Sequence, residues 1–181
     1  MARSVTQSRE GTHEMTLIRR ATAADAAAIA EIYNDAVLHS VATFDAEPKT
    51  AEDREQWLAE HDERHPVLVA EDAGLVVAWA SLTEWSDRPA YSETAEVSLY
   101  VRDGYRGRGI GHELLRAAIE AGRQVGLHTL IARITEGNAP SIRLAEWAGF
   151  TEVGVMREVG RKFGKWLDVR VMQLVLLPAG A

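Results

Sequence analysis

YRGRGIGHELL, residues 105–115, places three glycines at alternate positions, Gly107, Gly109 and Gly111, among arginines and just before an apolar-periodic segment. Backbone N–H groups at the start of a helix carry partial positive charge, and a residue without Cβ lets an anion come up to the backbone. The stretch therefore has the chemistry of a diphosphate cradle. It fails two nucleotide motifs. GxGxxG would need glycine at His112, and a P-loop would need Gly-Lys-Ser/Thr after the loop. A glycine-rich turn with solvated arginines is the plain alternative for the segment on its own.

Outward from this loop the hydrophobic period alternates between 2 and 3.6. Residues 95–102 (AEVSLYVR) before it read as a strand, and residues 110–125 after it as a helix with Leu114, Leu115, Ala118 and Ile119 on one face. A β-branched strand at 129–134 follows. Next comes a loop with Gly137, Asn138 and Pro140, then a short helix that ends at Gly149, a favourable residue just past a helix end. Towards the N-terminus, residues 16–20 read as a strand. Ile29, Ile32, Tyr33, Ala36 and Val37 then recur at helical spacing. Thr50 and Asp53 form a capping-box pair that predicts a helix to about His65, ended by Pro66. Residues 67–71 and 75–83, joined at Asp72-Ala73-Gly74, predict an antiparallel hairpin, and 152–159 and 168–176 predict two closing strands around the turn RKFGKW. The order β-α-α-β-β-β-α-β-α-β-β implies an α+β fold, with a mixed, largely antiparallel sheet of about seven strands flanked by about four helices.

Composition narrows the chemistry. A chain that is 46% hydrophobic with 181 residues can bury one sizeable core. The expected organisation is a disordered extension over residues 1–14 and one domain over 15–178. A net charge of -7 argues against nucleic acid or an anionic membrane as the main partner. With no cysteine there is no disulfide, no thiolate metal site and no cysteine acyl-enzyme. No apolar run reaches the roughly 18 to 20 residues of a membrane span, and the polar start MARSVTQSREGTHEM lacks the apolar middle of a signal peptide. A cytoplasmic protein is expected. His61 and His65, four apart in HDERH, do not have the glutamate placement of HExxH, so no metal is expected. The five tryptophans are scattered, as suits a core and an interface, and nothing matches a serine hydrolase.

The spacing Arg/Gln-x-x-Gly-x-Gly/Ala, filled by Arg106, Gly109 and Gly111, resembles the pyrophosphate loop of the GCN5-related N-acetyltransferases. NAPSIRLAEWAGF at 138–150 is similar to that family's second cofactor segment. IYNDAVLHSVATFDAEP, TAEVSLYV and EVGRKFGKWLDV further resemble the phosphinothricin and methionine sulfoximine N-acetyltransferase subfamily, over roughly residues 17–176. The resemblance implies acetyl-CoA as donor, held by the strand residues Val97, Ser98, Leu99 and Val101, by Arg106, Gly107, Arg108, Gly109, Ile110 and Gly111, and by Asn138 and Ser141. It implies a small amino-acid-like acceptor and a homodimer.

Acetyl transfer to an amine needs a neutral nitrogen, and an α-amino group of pKa about 8 is mostly protonated at neutral pH, so a base is required. Glu96 matches the subfamily's catalytic glutamate, and Tyr100 an aromatic of its site. Phe44, Arg88 and Tyr91 match acceptor-side positions, whereas Ser86 stands where some members have Lys. Relatives carry Tyr or His five residues before the Phe of the terminal Gly-Phe. Here that residue is Ala145, which cannot protonate a leaving thiolate. The implied activity is direct transfer in a ternary complex to a phosphinothricin, methionine sulfoximine or methionine sulfone type acceptor. The alternatives are a peptide or protein N-terminal acetyltransferase, and a catalytically weak acetyl-CoA-binding protein.

Overall fold

The computed structural model describes residues 16–176; the expected extension at 1–14 and the residues from 177 onward lie outside it. The chain runs β1 (Leu17–Arg20), α1 (Ala26–His39), α2 (Ala51–Glu60), β2 (Val67–Asp72), β3 (Leu75–Glu84), β4 (Thr94–Val101), α3 (Ile110–Gln124), β5 (Thr129–Thr135), α4 (Ala139–Trp147), β6 (Thr151–Lys162) and β7 (Lys165–Val175). This is the α+β order that the periodicity predicts. The strands form a 7-stranded sheet in the order β1-β2-β3-β4-β5-β7-β6. Every neighbouring pair is antiparallel except β4 and β5.

Strand alternation divides the core in two. Ala95, Val97, Leu99 and Val101 of β4 pack with Leu114, Leu115 and Ala118 of α3 on one face. Tyr100 packs with Ile29, Tyr33, Val37 and Trp79 beneath α1 and α2 on the other. Thus Glu96, Ser98 and Tyr100 share the α1 and α2 face of the sheet because side chains on a strand alternate with period two.

Local chemistry explains where the elements stop. The Thr50–Asp53 capping box forms as expected: Thr50 N donates to Asp53 Oδ2 at 2.8 Å and Asp53 N to Thr50 Oγ1 at 3.1 Å. The helix nevertheless ends at Glu60, not near His65. The His61 ring turns back to donate from Nδ1 to Trp57 O at 2.7 Å, and Asp62 Oδ1 accepts from the N–H groups of Arg64 and His65. Side chains that bind nearby backbone offer it an alternative to the next helical turn. The β2–β3 turn has Ala73 at φ 48° and Gly74 at φ 80°, as a tight hairpin requires.

The closing strands are longer than expected and meet at Phe163-Gly164, both at positive φ. A register shift between Met156 and Gly160 hides their alternation, and there Glu158 N donates to Asp168 Oδ1 at 2.8 Å. The hairpin tip is anchored to the end of α1: the buried Lys162 Nζ donates to Thr43 O at 2.8 Å and to Ala36 O at 3.4 Å. Beside it the Phe44 ring lies on Gly160, where a Cβ would come within 2.0 Å of the ring. Gly160→Ala is expected to cost about 1–3 kcal/mol by overpacking. The same change in a Phe44→Ala background should cost almost nothing, which a double-mutant cycle of thermal or denaturant midpoints measures directly.

Candidate active site

β4 and β5 begin as a parallel pair and then part. Their ladder contains Thr94↔Thr129, Ala95↔Leu130 and Glu96↔Ile131 and stops there. Beyond it β4 stays paired to β3 as far as Val101, and β5 to β7 as far as Thr135. Each strand therefore turns one unpaired edge towards the other, and the wedge between them is a cleft of about 90 Å³. Val97, Ser98, Leu99 and Tyr100 line it from β4, Ala132 to Thr135 from β5, and Asn138, Ser141, Leu144 and Ala145 from the α4 segment. Backbone N–H and C=O groups on an open strand edge are an amide-binding surface, because each wants the partner that the next strand would have supplied.

At the C-terminal end of β4 the glycine loop leads into α3. Gly107 and Gly109 have φ of +77° and +86°, with open space where a Cβ would stand, and Gly109 is the residue that caps the helix. Among the described residues the N–H groups of Arg106, Gly107, Arg108 and Gly109 donate to no protein acceptor. The first two N–H groups of α3, from Ile110 and Gly111, are free by helix geometry. His112 N and Glu113 N instead bond back to Gly109 O. The loop is thus a nest of bare donors at a helix N-terminus, which fits a diphosphate.

Gly111 has a different role: an added Cβ would stand 3.4 Å from Leu144 and 3.9 Å from Leu99 and Val101, so it brings α3 close to β4 and α4. The two arginines also divide the work. Arg106 holds the loop, donating to Val101 O at 3.2 Å and to Asp35 Oδ2 at 3.1 Å. Arg108 lies 4.7 Å over the Tyr105 ring, exposed, with no hydrogen bond among the described residues. Gly109→Val is expected to weaken binding of a diphosphate-bearing ligand about tenfold or more, read by calorimetry. The left-handed backbone costs a β-branched residue about 1–3 kcal/mol, and the loop escapes that strain by losing its shape.

Asn138 caps α4, its Oδ1 accepting from Ser141 N at 3.4 Å. Ala145 is buried on the cleft side of this helix, so α4 presents no acid to the cleft there. Tyr100 is wedged between Tyr33 and Trp79, with ring centroids at 5.1 and 4.8 Å, and its phenol donates to Ala42 O at 3.3 Å. Burial first, and then the neighbouring Tyr33, push the phenol above the ordinary tyrosine range, so it stays protonated.

Glu96 stands at the point where the strands part. Both of its oxygens are occupied: Arg133 Nε donates to Oε1 at 2.7 Å and Nη2 to Oε2 at 2.5 Å. The carboxylate raises the arginine further above its usual range, and the guanidinium carbon lies 5.7 Å from the centre of the Trp85 ring.

Of the residues expected on the acceptor side, Phe44 covers Gly160 as described. Arg88 and Tyr91 flank or sit on the short turn Pro89–Tyr91, both exposed. None of the three lines the cleft. The loop of Arg88 and Tyr91 is tied near the start of β4 through Trp85 N to Thr94 O and His128 N to Glu93 O. Arg133 and Trp85 had drawn no site role from the sequence. The signal was one charge inside an otherwise aliphatic and threonine strand, TLIARIT. Among the described residues no group of His, Asp and Glu could hold a metal, and no helix is long and apolar enough to cross a membrane.

A splayed strand pair that leads to a glycine nest at a helix N-terminus, within this mixed sheet, is the architecture of an N-acetyltransferase. The chain belongs to the acetyltransferase (GNAT) domain family, whose model matches residues 18–171. It is 45% identical to the L-methionine sulfoximine/L-methionine sulfone acetyltransferase of Pseudomonas paraeruginosa, covering 89% of this chain and 95% of that protein. It is 41% identical to the L-amino acid N-acyltransferase MnaT of Escherichia coli, covering 88% and 93%. A phosphinothricin acetyltransferase from Sinorhizobium meliloti, solved in complex with acetyl-CoA, superposes with a TM-score of 0.87 at 32% identity, over 92% and 91% of the two chains.

Proposed function

We propose that this chain acetylates the α-amino group of a small amino-acid-like acceptor of the methionine sulfoximine, methionine sulfone or phosphinothricin type. Transfer is direct, in a ternary complex, because no cysteine can carry the acetyl group. The observation that supports this reading is the parting of β4 from β5: Glu96 holds the last paired position, and the bare loop N–H donors follow the far end of β4. When bound, acetyl-CoA supplies the activated acetyl group.

The chain's own residues do the rest. The Gly107 to Gly111 backbone and Arg108 hold the diphosphate, with Arg106 fixing the loop. The open edge of Val97 to Val101 orients the pantetheine amides, and Asn138 and Ser141 face them from α4. Glu96 takes the proton from the acceptor's ammonium and leaves a neutral amine. Ala145 gives no help to the leaving group, but a thiol of pKa about 8.5 departs acceptably as thiolate. Ser98, Tyr100 and Ser141 line the same cleft.

Phe44, Arg88 and Tyr91 form the outer acceptor side in this reading, from loops outside the cleft lining. Residues 15–178 act as one catalytic unit, cytoplasmic and dimeric. The edge hairpin supports a dimer, because Val159, Phe163 and Trp166 are 50%, 59% and 60% exposed on it. Thiol release from acetyl-CoA across methionine sulfoximine, methionine sulfone, phosphinothricin, ordinary amino acids and short peptides tests the proposal. Turnover with the first three is expected. Turnover confined to peptides, or none at all, would overturn it.

A further inference from the structure

β5 carries a charge where its neighbours are aliphatic. Leu130, Ala132 and Ile134 are buried in the core shared with α3, and Arg133 faces the opposite way, into the cleft wall beside the point where β4 and β5 part. Nε and Nη2 hold Glu96, whereas Nη1 has no partner among the described residues. The Arg133 side chain is 50% exposed and the Glu96 side chain 19%. The pair thus joins a largely covered carboxylate to a guanidinium that keeps one side open to solvent and to the cleft.

We propose that Arg133 is the receptor for the acceptor's carboxylate, and that its ion pair with Glu96 is a latch that the acceptor opens. An α-amino acid carries an ammonium and a carboxylate on one carbon. Arg133 on the cleft wall and Glu96, paired to it at the last β4–β5 ladder position, present the complementary charges. In the free chain they neutralise each other. When a zwitterionic acceptor enters, its carboxylate takes the planar fork of Arg133, for which carboxylates are the matching ligand. The Glu96 oxygens then come free beside the ammonium. One ion pair becomes two and no charge is left unpaired. The proton passes from the ammonium to Glu96, and the resulting amine is the nucleophile. An amine without a carboxylate has nothing to place in the Arg133 fork and meets a base still paired to arginine. The inference rests on the amino-acid acceptor proposed above, and adds which residue reads the acid.

The test uses methionine sulfone and its carboxamide as acceptors for the wild-type chain, Arg133→Ala and Arg133→Lys. Acceptor binding to the CoA-loaded protein is followed by calorimetry, and turnover by thiol release. Wild type is expected to prefer the acid by about 10- to 100-fold in kcat/KM, the worth of a charge-assisted bidentate contact. In Arg133→Ala that preference collapses to about threefold or less, chiefly through a higher KM for the acid, and Arg133→Lys, which keeps charge without the fork, lies between. A purely structural role would lower turnover of acid and amide together and leave their ratio alone. That outcome, or an acid preference retained in Arg133→Ala, overturns the proposal. If the wild type turns over neither compound, the proposed activity fails and binding decides this inference separately. Acid binding lost in Arg133→Ala upholds the receptor, and acid binding absent from the wild type or unchanged in the variant removes it.

Discussion

Glu96→Gln is expected to lower kcat for the best acceptor by about 10²–10⁴, the usual contribution of a positioned base. The amide is nearly isosteric with the carboxylate, so strand pairing with Thr83 and Ile131 persists, and the thermal midpoint should move little. What changes is proton removal, because glutamine cannot accept the ammonium proton. KM for the acceptor should not rise with the loss of kcat: the substitution also frees the Arg133 fork, which in the parent chain is engaged by Glu96 at 2.7 and 2.5 Å. A fall in kcat with a steady or lower acceptor KM thus marks a group that acts in the transition state. The loss should also be smaller for an acceptor whose amine is less basic, since more of it is neutral before it binds. A kcat within about threefold of the parent would show that bulk water removes the proton and that Glu96 is only a strand carboxylate.

The fold and the backbone of the glycine loop were legible in the sequence, for identifiable reasons. The element order follows from periods of 2 and 3.6, and those are written locally. The glycine loop is equally local: Gly107 and Gly109 do adopt the left-handed backbone that only glycine enters freely. What escaped was non-local. The divergence of β4 from β5 after Glu96 is a property of two strands separated by a whole helix, and nothing in either strand alone announces it. The Glu96–Arg133 pair spans the same gap, so a lone charge in TLIARIT had no visible partner. The early end of α2 turned on side chains binding backbone, through His61 and Asp62, which competes with helix propensity at a scale that periodicity does not register. The extra length of β6 and β7 was masked by two register shifts, which break the alternation.

The largest expected effect on stability comes from the α1 and α2 face of the sheet. Trp79 is 2% exposed and lies against Tyr33, Trp57 and Tyr100, with centroids at 5.9, 5.5 and 4.8 Å. Arg54, also buried, places its guanidinium 4.1 Å from the Tyr33 ring and 4.9 Å from the Trp57 ring. The cluster is held by dispersion, ring quadrupoles and one cation. Removing its centre with Trp79→Ala should cost about 3–5 kcal/mol, and each kcal/mol lowers the midpoint of a chain this size by about 2–4 °C. Trp79→Phe separates the contributions. The indole N–H has no partner among the described residues, and burying an unsatisfied donor costs about 1–3 kcal/mol, which phenylalanine recovers while losing part of the ring contact. The two changes oppose, so a net cost within about 1 kcal/mol is expected. A cost as large as that of alanine would mean that the N–H is satisfied by a buried water. The same substitution links packing to function. Tyr100 leans on Trp79 and lines the cleft from that face, whereas the diphosphate cradle is built on α3 from the other. Trp79→Ala should therefore raise the acceptor KM well before it alters acetyl-CoA affinity. Equal damage to both would show that the two faces of the sheet move as one.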